Sequence, residues 1–569
     1  MDVRVWAPAV SRLAVVAAGE RHELEQVEGG WWTGPRLAPG TDYAFLLDDD
    51  GQPVPDPASR WQPEGVHGPS RVYDQSGYEW HDHDWRGRDL PGAVLYELHI
   101  GTFTPGATFD SAIERLEHLV DLGITHVEVM PVNAVNGVWN WGYDGVDWFA
   151  VHEPLGGPDG FKRFVDAAHG RGLAVVLDVV YNHLGPSGNY LPRYGPYLKS
   201  GRSTWGDLVN VEEPAVREFI VENALMWLRD FHVDALRLDA VHALHDCSPT
   251  HILAELASRV HALQDELGRP LALIAESDLN DPVMIEPQPD GYGLDAQWDD
   301  DVHHALHSAL SGETQGYYVD FGPLSVVQKV LTRAFMHDGS YSTFRGRNHG
   351  RPVDRALTPG WRFVVTLQNH DQVGNRAVGD RLPEITSEGL VKVGAVLLLT
   401  AAFTPMLWMG EEWAASTRWP FFTSHPQPEL AEATGKGRIE EFAEHGWDVS
   451  QMIDPQDEQA YRSAILDWDE VGHGVHADML GLYKHLIALR AAEPELTDAD
   501  LRNVHVDFDE DQRWLVMHRG GLRVIANLSA HERSIAVDAY ELVLATGSLE
   551  VAAGNVLIGP ESAAIVRAR

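Results

Sequence analysis

The 569-residue sequence predicts an α/β protein in which a (β/α)8 barrel of the TIM type is flanked by one β-sandwich at each end of the chain. Two observations lead to this prediction. Between residues 91 and 485, apolar runs of strand length alternate with segments of helical periodicity, which is typical of parallel strands joined by crossover helices. Several of these runs end in charged or polar residues, and active sites of barrel enzymes lie at the carboxyl ends of the strands.

Changes in sequence pattern divide the chain into three predicted domains. Residues 1–90 and 486–569 contain short alternating runs separated by Gly, Pro and Asp turns, so we predict an antiparallel β-sandwich in each. Residues 91–485 form the predicted catalytic barrel. Within the barrel domain, the interval of about 413–468 is rich in Pro, Glu and aromatic residues. We predict that this interval is irregular and covers one side of the cleft as a lid.

Eight runs are predicted as barrel strands because each is apolar or alternating and has the length of a strand. They are residues 93–100, 125–130, 173–180, 235–239, 271–276, 294–298, 363–368 and 405–409. The first predicted helix carries Ile113, Leu116 and Leu119 on one face. Helices are predicted at residues 109–122, 160–172, 216–231 and 477–490. Eight parallel strands are enough to close a barrel.

Composition excludes several classes of partner. The formal net charge of −42, from 85 acidic and 43 basic residues, would repel a phosphate backbone, so nucleic acid is not an expected partner. The best apolar run, residues 393–403, is far shorter than the roughly 20 residues that span a bilayer. The first residues, Met1 to Trp6, lack the features of a signal peptide, so we predict a cytoplasmic protein without membrane attachment. The single cysteine, Cys247, cannot form an internal disulfide.

Two features bear on small ligands. The 19 Trp and 16 Tyr residues include flat rings suited to the faces of neutral sugars, although packing in a large core explains many of them. The alternation of His and Asp in residues 80–85 is interpreted as a solvated linker rather than a metal site. The sequence predicts neither a metal nor another cofactor.

Carboxylates at three strand ends are the candidate catalytic groups: Asp239, Glu276 and Asp371. Arg237 precedes Asp239 by two residues, so both side chains face the same way and the guanidinium can hold the carboxylate ionised, as a nucleophile requires. The apolar residues before Glu276 disfavour its charged form and raise its pKa, which suits a general acid. Two carboxyl groups about 5–5.5 Å apart can cleave a glycosidic bond by double displacement with retention of configuration.

Four short stretches resemble, in order, the four sequence regions of the α-amylase superfamily of glycoside hydrolases. They are Asp178-Val-Val-Tyr-Asn-His183, Arg237-Leu-Asp239, Glu276 and Asn369-His-Asp371. Within that superfamily the sequence is most similar to the malto-oligosyltrehalose trehalohydrolase family. That similarity is carried by residues 96–103, 141–146, 181–191, 239–244, 275–282 and 368–376, and it extends from the first predicted sandwich to the second.

The resemblance implies roles for individual residues. Asp239 would be the nucleophile, Glu276 the acid/base and Asp371 the transition-state stabiliser. Tyr143 would stack under the sugar that is cleaved, and Asp178 would hold the site together from behind. The residues implied to bind the substrate or to support that binding are Tyr143, Asp178, His183, Arg237, His242, Asn369, His370, Gln372, Asn375 and Arg376. Among these, His183, His370 and Arg237 would donate hydrogen bonds to the sugar.

Two positions depart from the pattern of the wider superfamily. Many α-amylases carry a Lys-His pair after the nucleophile, whereas this chain has Ala240-Val-His242. His242 is therefore interpreted either as part of the leaving-group subsite or as a histidine packed beside the barrel. Asn182 occupies a position that ligates calcium in many amylases, but no acidic cluster accompanies it, so no required metal is expected.

The resemblance implies retaining hydrolysis of the α-1,4-glucosidic bond next to the trehalose end of malto-oligosyltrehalose, with release of trehalose. It also implies a functional pairing with a malto-oligosyltrehalose synthase. The rival enzyme is a glycogen branching enzyme, which shares the leading sandwich, the barrel and the three carboxylates; residues 181–191 and 279–282 favour the hydrolase. A rival of another class is a non-catalytic carbohydrate-binding protein, which the presence of all three carboxylates disfavours.

Overall fold

Eight parallel strands form a closed barrel at the centre of the protein. The computed structural model describes residues 1–48, 51–444, 449–552 and 554–568. We number the barrel strands β1 to β8: Leu95–Leu98, His126–Val129, Ala174–Val179, Ala235–Leu238, Ala272–Ala275, Ala296–Trp298, Phe363–Thr366 and Thr404–Trp408. Each strand pairs in parallel with the next along the chain, and β8 pairs with β1. The predicted barrel is confirmed, and all eight strands lie at the predicted positions.

Helices follow most of the strands and pack around the barrel. Outside the interval 413–468 they include Phe109–Ile113, Leu116–Leu122, Gly157–His169, Pro214–Asp230, Ile252–Leu267, Asp300–Ser311, Leu324–Arg333, Glu388–Thr400 and Gly474–Ala492. The helix predicted at residues 109–122 is two helices. The connection from β5 to β6, which is described throughout, contains only the 3-10 helix Pro282–Met284 where a regular barrel would have its fifth α-helix.

Local sequence explains several helix ends. Thr108 caps Phe109–Ile113 through a reciprocal pair of hydrogen bonds with Ser111. Pro214 begins its helix, where the missing N–H costs nothing. Gly268 and Gly312 end theirs with φ of 65° and 79°, a backbone region that glycine adopts without strain.

Antiparallel sheets lie before and after the barrel, and the predicted flanking sandwiches are confirmed. The two amino-terminal sheets consist of Asp2–Trp6, Trp31–Arg36 and Glu25–Gln26, and of Glu20–Glu23, Leu13–Ala17, Asp42–Leu47 and Ser70–Arg71. The two carboxyl-terminal sheets consist of Val504–Asp509, Trp514–Arg519, Leu522–Asn527, Ser562–Ala568 and Ala539–Ala545, and of Arg533–Ile535, Asn555–Ile558 and Leu549–Ala552. Their apolar residues alternate inward, as in Asp2–Trp6, where Val3 and Val5 are buried.

Smaller elements lie in the loops between barrel strands. They are the strand pairs Asn133–Ala134 with Asp147–Val151, Leu198–Ser203 with Gly206–Val209, and Tyr341–Ser342 with Arg347–Asn348, and the short helices Ile100–Phe103, Leu191–Tyr194, His370–Gly374 and Leu382–Ile385. The short helix Pro494–Thr497 follows the helix Gly474–Ala492, after the last barrel strand. None of the helices in the described ranges is long and apolar enough to cross a membrane.

The interval 413–468 is less irregular than its composition predicts. It contains the α-helices Pro428–Glu444 and Glu458–Ser463, so the prediction of irregular structure is wrong for those residues, while residues 445–448 lie outside the described part of the chain. The longer helix was missed because most of its residues up to Glu440 are exposed. A helix without a buried face leaves no apolar stripe in the sequence.

The His–Asp alternation in residues 80–85 docks against the amino-terminal end of the barrel, so the prediction of a solvated linker is wrong for Asp82. The Asp82 side chain is 5% exposed and lies 2.8 Å from Nδ1 of both His169 and His232. The Nε2 atom of His169 lies 2.9 Å from Asp234, the residue immediately before β4. The sequence could not show this because the two histidines are 87 and 150 residues away from Asp82.

We expect His169 to make the stability of the protein depend on pH. Burial alone would lower the pKa of His169, but the flanking carboxylates of Asp234 and Asp82 outweigh burial and raise it. The stabilisation is therefore complete below the pKa of an unfolded histidine, about 6.5, and declines as the pH rises through the higher folded-state pKa. His169→Gln should lower the melting temperature at about pH 6, and the deficit should shrink towards about pH 9.

The matched control is His83→Gln, because His83 belongs to the same alternation but is exposed. It should leave the melting temperature within error of the parent at every pH. A deficit for His169→Gln that stays constant from about pH 6 to 9 would contradict the ionic role of this histidine.

Candidate active site

A fully buried guanidinium lies at the carboxyl end of β4. Arg237 is 0% exposed, and its Nη1 donates to Asp178 Oδ2 at 2.9 Å and to Asp239 Oδ1 at 2.7 Å. Its Nη2 has no hydrogen-bond partner among the described residues and lies 3.8 Å from Glu276 Oε2. The Trp298 ring covers the guanidinium at 4.3 Å. A buried charge is tolerated only with such partners, so the cation holds the carboxylates of Asp178 and Asp239 in place.

The register of the barrel brings these groups together. Asp178 on β3 is paired with Arg237 on β4, so the two side chains lie at the same level. The Glu276 N–H donates to the Leu238 carbonyl at 2.9 Å, which places Asp239 and Glu276 side by side just beyond the last paired residues of β4 and β5. The convergence of these residues therefore follows from strand pairing rather than from loop conformation.

Two donors orient the Asp239 carboxylate. Arg237 binds Oδ1, and the Asn182 amide donates to Oδ2 at 2.7 Å and to the Asp239 carbonyl at 3.0 Å. The Asp239 side chain is 14% exposed, so part of it remains open to the cleft. In this structure the Asn182 amide therefore orients the Asp239 carboxylate. Within the described ranges, no group of three or more His, Cys, Asp or Glu residues is placed to hold a metal ion.

The surroundings of Glu276 favour its protonated form. Burial raises its pKa to about 8; Arg237 opposes the rise, and the charges of Asp239 and Asp371 add to it. The Ala240 N–H donates to Glu276 Oε2 at 2.5 Å, so Oε1 is the oxygen left to carry the proton. The direction of the shift is the one that the sequence predicts.

A chain of hydrogen bonds runs behind the cleft from Glu97 to Asp178. His370 Nδ1 lies 2.5 Å from Glu97 Oε1, His370 Nε2 lies 2.8 Å from the Tyr143 hydroxyl, and that hydroxyl donates to Asp178 Oδ2 at 2.6 Å. Burial lowers the pKa of His370, but Glu97 and Asp371 outweigh it and raise the pKa to about 9. A protonated His370 donates from both ring nitrogens, which fixes the direction of the whole chain.

Three residues predicted to donate to the sugar are already engaged by the protein. Arg237 and His370 are 0% and 1% exposed and have the partners described above. His183 is 6% exposed; its Nδ1 lies 2.6 Å from Asn182 Oδ1 and its Nε2 lies 2.8 Å from the Tyr143 carbonyl. In this structure these side chains therefore lie in the layer behind the cleft, and their hydrogen bonds to the sugar stay a prediction.

The loop after β7 places Asp371 in the cleft. The Asp371 side chain is 44% exposed, and its Oδ1 accepts from Asn375 Nδ2 at 3.0 Å. The Asn369 side chain caps the helix His370–Gly374 by accepting from the Gln372 N–H at 2.8 Å.

Arg376 was also predicted to bind substrate. It is 5% exposed, and its guanidinium donates to both carboxylate oxygens of Glu313 at 2.8 and 3.0 Å. It also lies 2.8 Å from Asp380 Oδ2. In this structure the two carboxylates hold the guanidinium, so Arg376 braces the loop, and its contact with substrate stays a prediction.

An exposed indole lies beside two of the predicted site residues. Trp205, at the turn between Leu198–Ser203 and Gly206–Val209, is 46% exposed. Its ring lies 6.0 Å from that of His183, nearly parallel, and 6.0 Å from that of His242. His242 is partly buried and accepts from the Asp278 N–H at 3.3 Å, so it lies at the edge of the cleft. Sequence reasoning missed Trp205, although a tryptophan in a polar turn is a signal for an exposed ring.

A second exposed aromatic residue lies within the connection from β6 to β7. Phe344 is 46% exposed at the turn between Tyr341–Ser342 and Arg347–Asn348. Its neighbour Arg345 forms an ion pair with Asp278, and His349 Nε2 lies 2.8 Å from the Asp278 carbonyl. Asp278 therefore links the loop after β5 to this turn.

Comparisons with known proteins agree with the barrel fold. The family described as "Alpha amylase, catalytic domain" matches residues 99–194, and the family described as "Domain of unknown function (DUF3459)" matches residues 499–566. A crystal structure of a candidate alpha amylase from Salmonella typhimurium superposes with a TM-score of 0.92 at 36% identity, covering 100% of this chain and 97% of that one.

Curated relatives cover nearly the whole chain. A malto-oligosyltrehalose trehalohydrolase from Arthrobacter ramosus is 54% identical over 99% of both chains, and one from Rhizobium sp. is 52% identical over 99% of this chain and 97% of that one. A 1,4-alpha-glucan branching enzyme from Aliivibrio fischeri is 33% identical but matches only 42% of this chain. The chain therefore belongs to the malto-oligosyltrehalose trehalohydrolase family of the α-amylase superfamily.

Proposed function

We propose that the protein is a retaining glycoside hydrolase that cleaves the α-1,4-glucosidic bond next to the trehalose end of malto-oligosyltrehalose and releases trehalose. One observation carries the chemical part of this proposal: Asp239 and Glu276 lie at one level of the barrel beside the same buried guanidinium. Burial also raises the pKa of Glu276 to about 8, which suits an acid. A nucleophile and an acid are the pair that a double displacement needs. The substrate is inferred from the names of the relatives.

The reaction has two steps in this proposal. The Asp239 carboxylate attacks C1 of the glucose next to trehalose, the bond from C1 to the bridging oxygen breaks, and Glu276 gives its proton to that oxygen. Trehalose leaves. A water molecule then gives a proton to the Glu276 carboxylate while its oxygen attacks C1, which frees Asp239. Two inversions at C1 leave the shortened malto-oligosaccharide with the α configuration.

Asp371 and Tyr143 are assigned supporting contacts with the sugar. The exposed Asp371 carboxylate can accept hydrogen bonds from sugar hydroxyls. The Tyr143 ring, stacked on His370 at 5.1 Å, offers a flat surface beneath the sugar ring. The chain from Glu97 to Asp178 keeps Tyr143 in place.

The leaving-group side is assigned to the loops that carry Trp205, His242, Asp278 and Phe344. Exposed rings at Trp205 and Phe344 suit the faces of two glucose units, and Asp278 with His242 supplies polar groups between them. Polar groups placed for trehalose hydroxyls would be left unpaired by maltose, and such mismatches discriminate strongly. The interval 413–468 is proposed as the lid of this cleft.

A branching enzyme and an inactive sugar-binding protein are the alternatives. The branching-enzyme relative matches less than half of this chain, whereas the hydrolase relatives match almost all of it. A binding protein would have no need of an acid with a raised pKa beside a second carboxylate. We also propose, from the sequence, a functional pairing with a malto-oligosyltrehalose synthase and a cytoplasmic location. The proposed domain limits are 1–90, 91–485 and 486–569.

The substrate is tested by comparing malto-oligosyltrehalose with a plain malto-oligosaccharide of equal length. We expect the first to be cleaved at least about tenfold faster, with free trehalose as a product, because only trehalose pairs every polar group of the leaving-group side. Chromatography of early products gives both rates. Equal rates, or products without trehalose, would reduce the protein to a generic α-glucan hydrolase, and a branched product stained by iodine would favour the branching enzyme.

The acid is tested by the pH dependence of kcat/KM. Because Glu276 must be protonated and its pKa is about 8, kcat/KM on malto-oligosyltrehalose should fall as the pH rises through that value. A fall in kcat/KM already near pH 5 would show that Glu276 is not the proton donor.

Two variants test the roles of the carboxyl groups. Glu276→Gln should abolish activity on malto-oligosyltrehalose but recover part of the glycosylation step on an α-glycosyl fluoride, whose leaving group needs little proton donation. Asp239→Asn should be inactive on both substrates.

A further inference from the structure

The helix Pro428–Glu444 reaches the active site through one charged side chain. Arg438 Nη2 donates to Asn375 Oδ1 at 2.5 Å and to the Gly374 carbonyl at 3.3 Å. Asn375 Nδ2 in turn donates to Asp371 Oδ1 at 3.0 Å. Two hydrogen bonds therefore connect a helix in the connection after β8 to a carboxylate of the cleft after β7.

The polarity of the Asn375 amide depends on Arg438. An amide has an oxygen that accepts and a nitrogen that donates, on opposite sides of one group. While the Arg438 guanidinium holds the oxygen, the nitrogen must face Asp371. Without Arg438, rotation of the amide can bring its oxygen towards the Asp371 carboxylate, which has no proton to offer when ionised.

The loop that carries Asn375 cannot easily move to compensate. A Cβ atom added to Gly374 would lie 2.1 Å from the Trp141 ring, so the backbone is packed directly on that indole. Trp141 is 4% exposed and stacks on Trp419 at 4.5 Å. The rigid backbone leaves the Asn375 amide and Arg438 as the adjustable parts beside Asp371.

Most of the helix residues 428–440 are exposed. Among its residues 428–440, Gly435 alone is buried, and Ile439 is 40% exposed. Glycines at 435 and 437 disfavour the helical conformation. A helix with so few buried contacts depends on its specific anchors, and the Arg438 guanidinium, packed over the Phe421 ring at 4.8 Å, is one of them.

We propose that Arg438 is a positioning residue that couples the docking of the helix Pro428–Glu444 to the orientation of Asp371 through the Asn375 amide. This rests on the proposed function, in which Asp371 stabilises the transition state. When the helix is docked, Asp371 is held in place for the reaction. When the helix is displaced, Asn375 loses its fixed polarity and Asp371 loses its donor.

The first test separates kcat from KM. Arg438→Ala should lower kcat about tenfold or more and change KM little, because Asp371 acts in the transition state. Arg438→Lys, which keeps one donor for Asn375, should recover part of the loss. Lys436→Ala is the matched control, because Lys436 is exposed on the same helix, and it should keep the parent kcat. An unchanged kcat for Arg438→Ala, or an equal loss for Lys436→Ala, would overturn the proposal.

A double-mutant cycle tests whether the effect passes through Asn375. In an Asn375→Ala background, Arg438→Ala should have little further effect on kcat, because the relay is already broken. If the reductions in kcat of the two single variants multiply in the double variant, Arg438 acts by a route that does not include Asn375. All rates are measured on an α-glycosyl fluoride and compared with the parent. If the protein fails to release trehalose, the proposed substrate is wrong, but this comparison of Arg438 variants still holds.

Hydrogen exchange measured by mass spectrometry tests the anchoring of the helix without any turnover. Arg438→Ala should speed exchange in peptides from residues 428–440, whereas peptides from residues 369–376 should keep their rate because that backbone is packed on Trp141. Lys436→Ala should change neither. Unchanged exchange in residues 428–440 of Arg438→Ala would show that Arg438 does not hold the helix in place, which would overturn the coupling.

Discussion

The burial of the Arg237 guanidinium is the constraint on which the carboxyl end of the barrel depends. An unpaired charge at that depth is unstable by several kcal/mol, so the neighbouring strands must supply carboxylates at the same level. Asp178 and Asp239 bind the cation directly, at 2.9 and 2.7 Å, whereas Glu276 lies 3.8 Å away. The unequal distances suit the two roles. Asp239, which the guanidinium binds directly, is suited to act as the nucleophile, and Glu276, which it does not bind, is suited to act as the acid.

The same constraint explains why so many polar residues of the site do not face the cleft. Asp178 must be oriented towards Arg237, and Tyr143, His370 and Glu97 form the chain that orients it. Asn182 does the same for the outer oxygen of Asp239. Among the described residues, the groups open to a sugar include Asp371, part of Asp239 and the exposed rings of the loops, which rest on this buried layer.

The sequence predicts the barrel and the convergence of its carboxylates because both are local: an apolar run ends in a polar residue, and parallel pairing aligns the ends. It could not predict Glu97, whose partner His370 is 273 residues away, or the amide of Asn182 on Asp239. It also could not show the protein partners of the histidines at 183 and 370, because a motif names a residue without showing what it contacts. The helix Pro428–Glu444 was missed because its residues up to Glu440 form no buried stripe.

The most direct measurement identifies the carboxylate that bonds to the sugar. A 5-fluoro-α-glucosyl fluoride forms the glycosyl-enzyme readily but slows its hydrolysis, so the intermediate accumulates and can be located by proteolysis and mass spectrometry. The arrangement around Arg237 predicts the label on Asp239, with activity returning as the label is hydrolysed. A label on Glu276 or Asp371, or turnover without a covalent intermediate and with a β-configured first product, would contradict it.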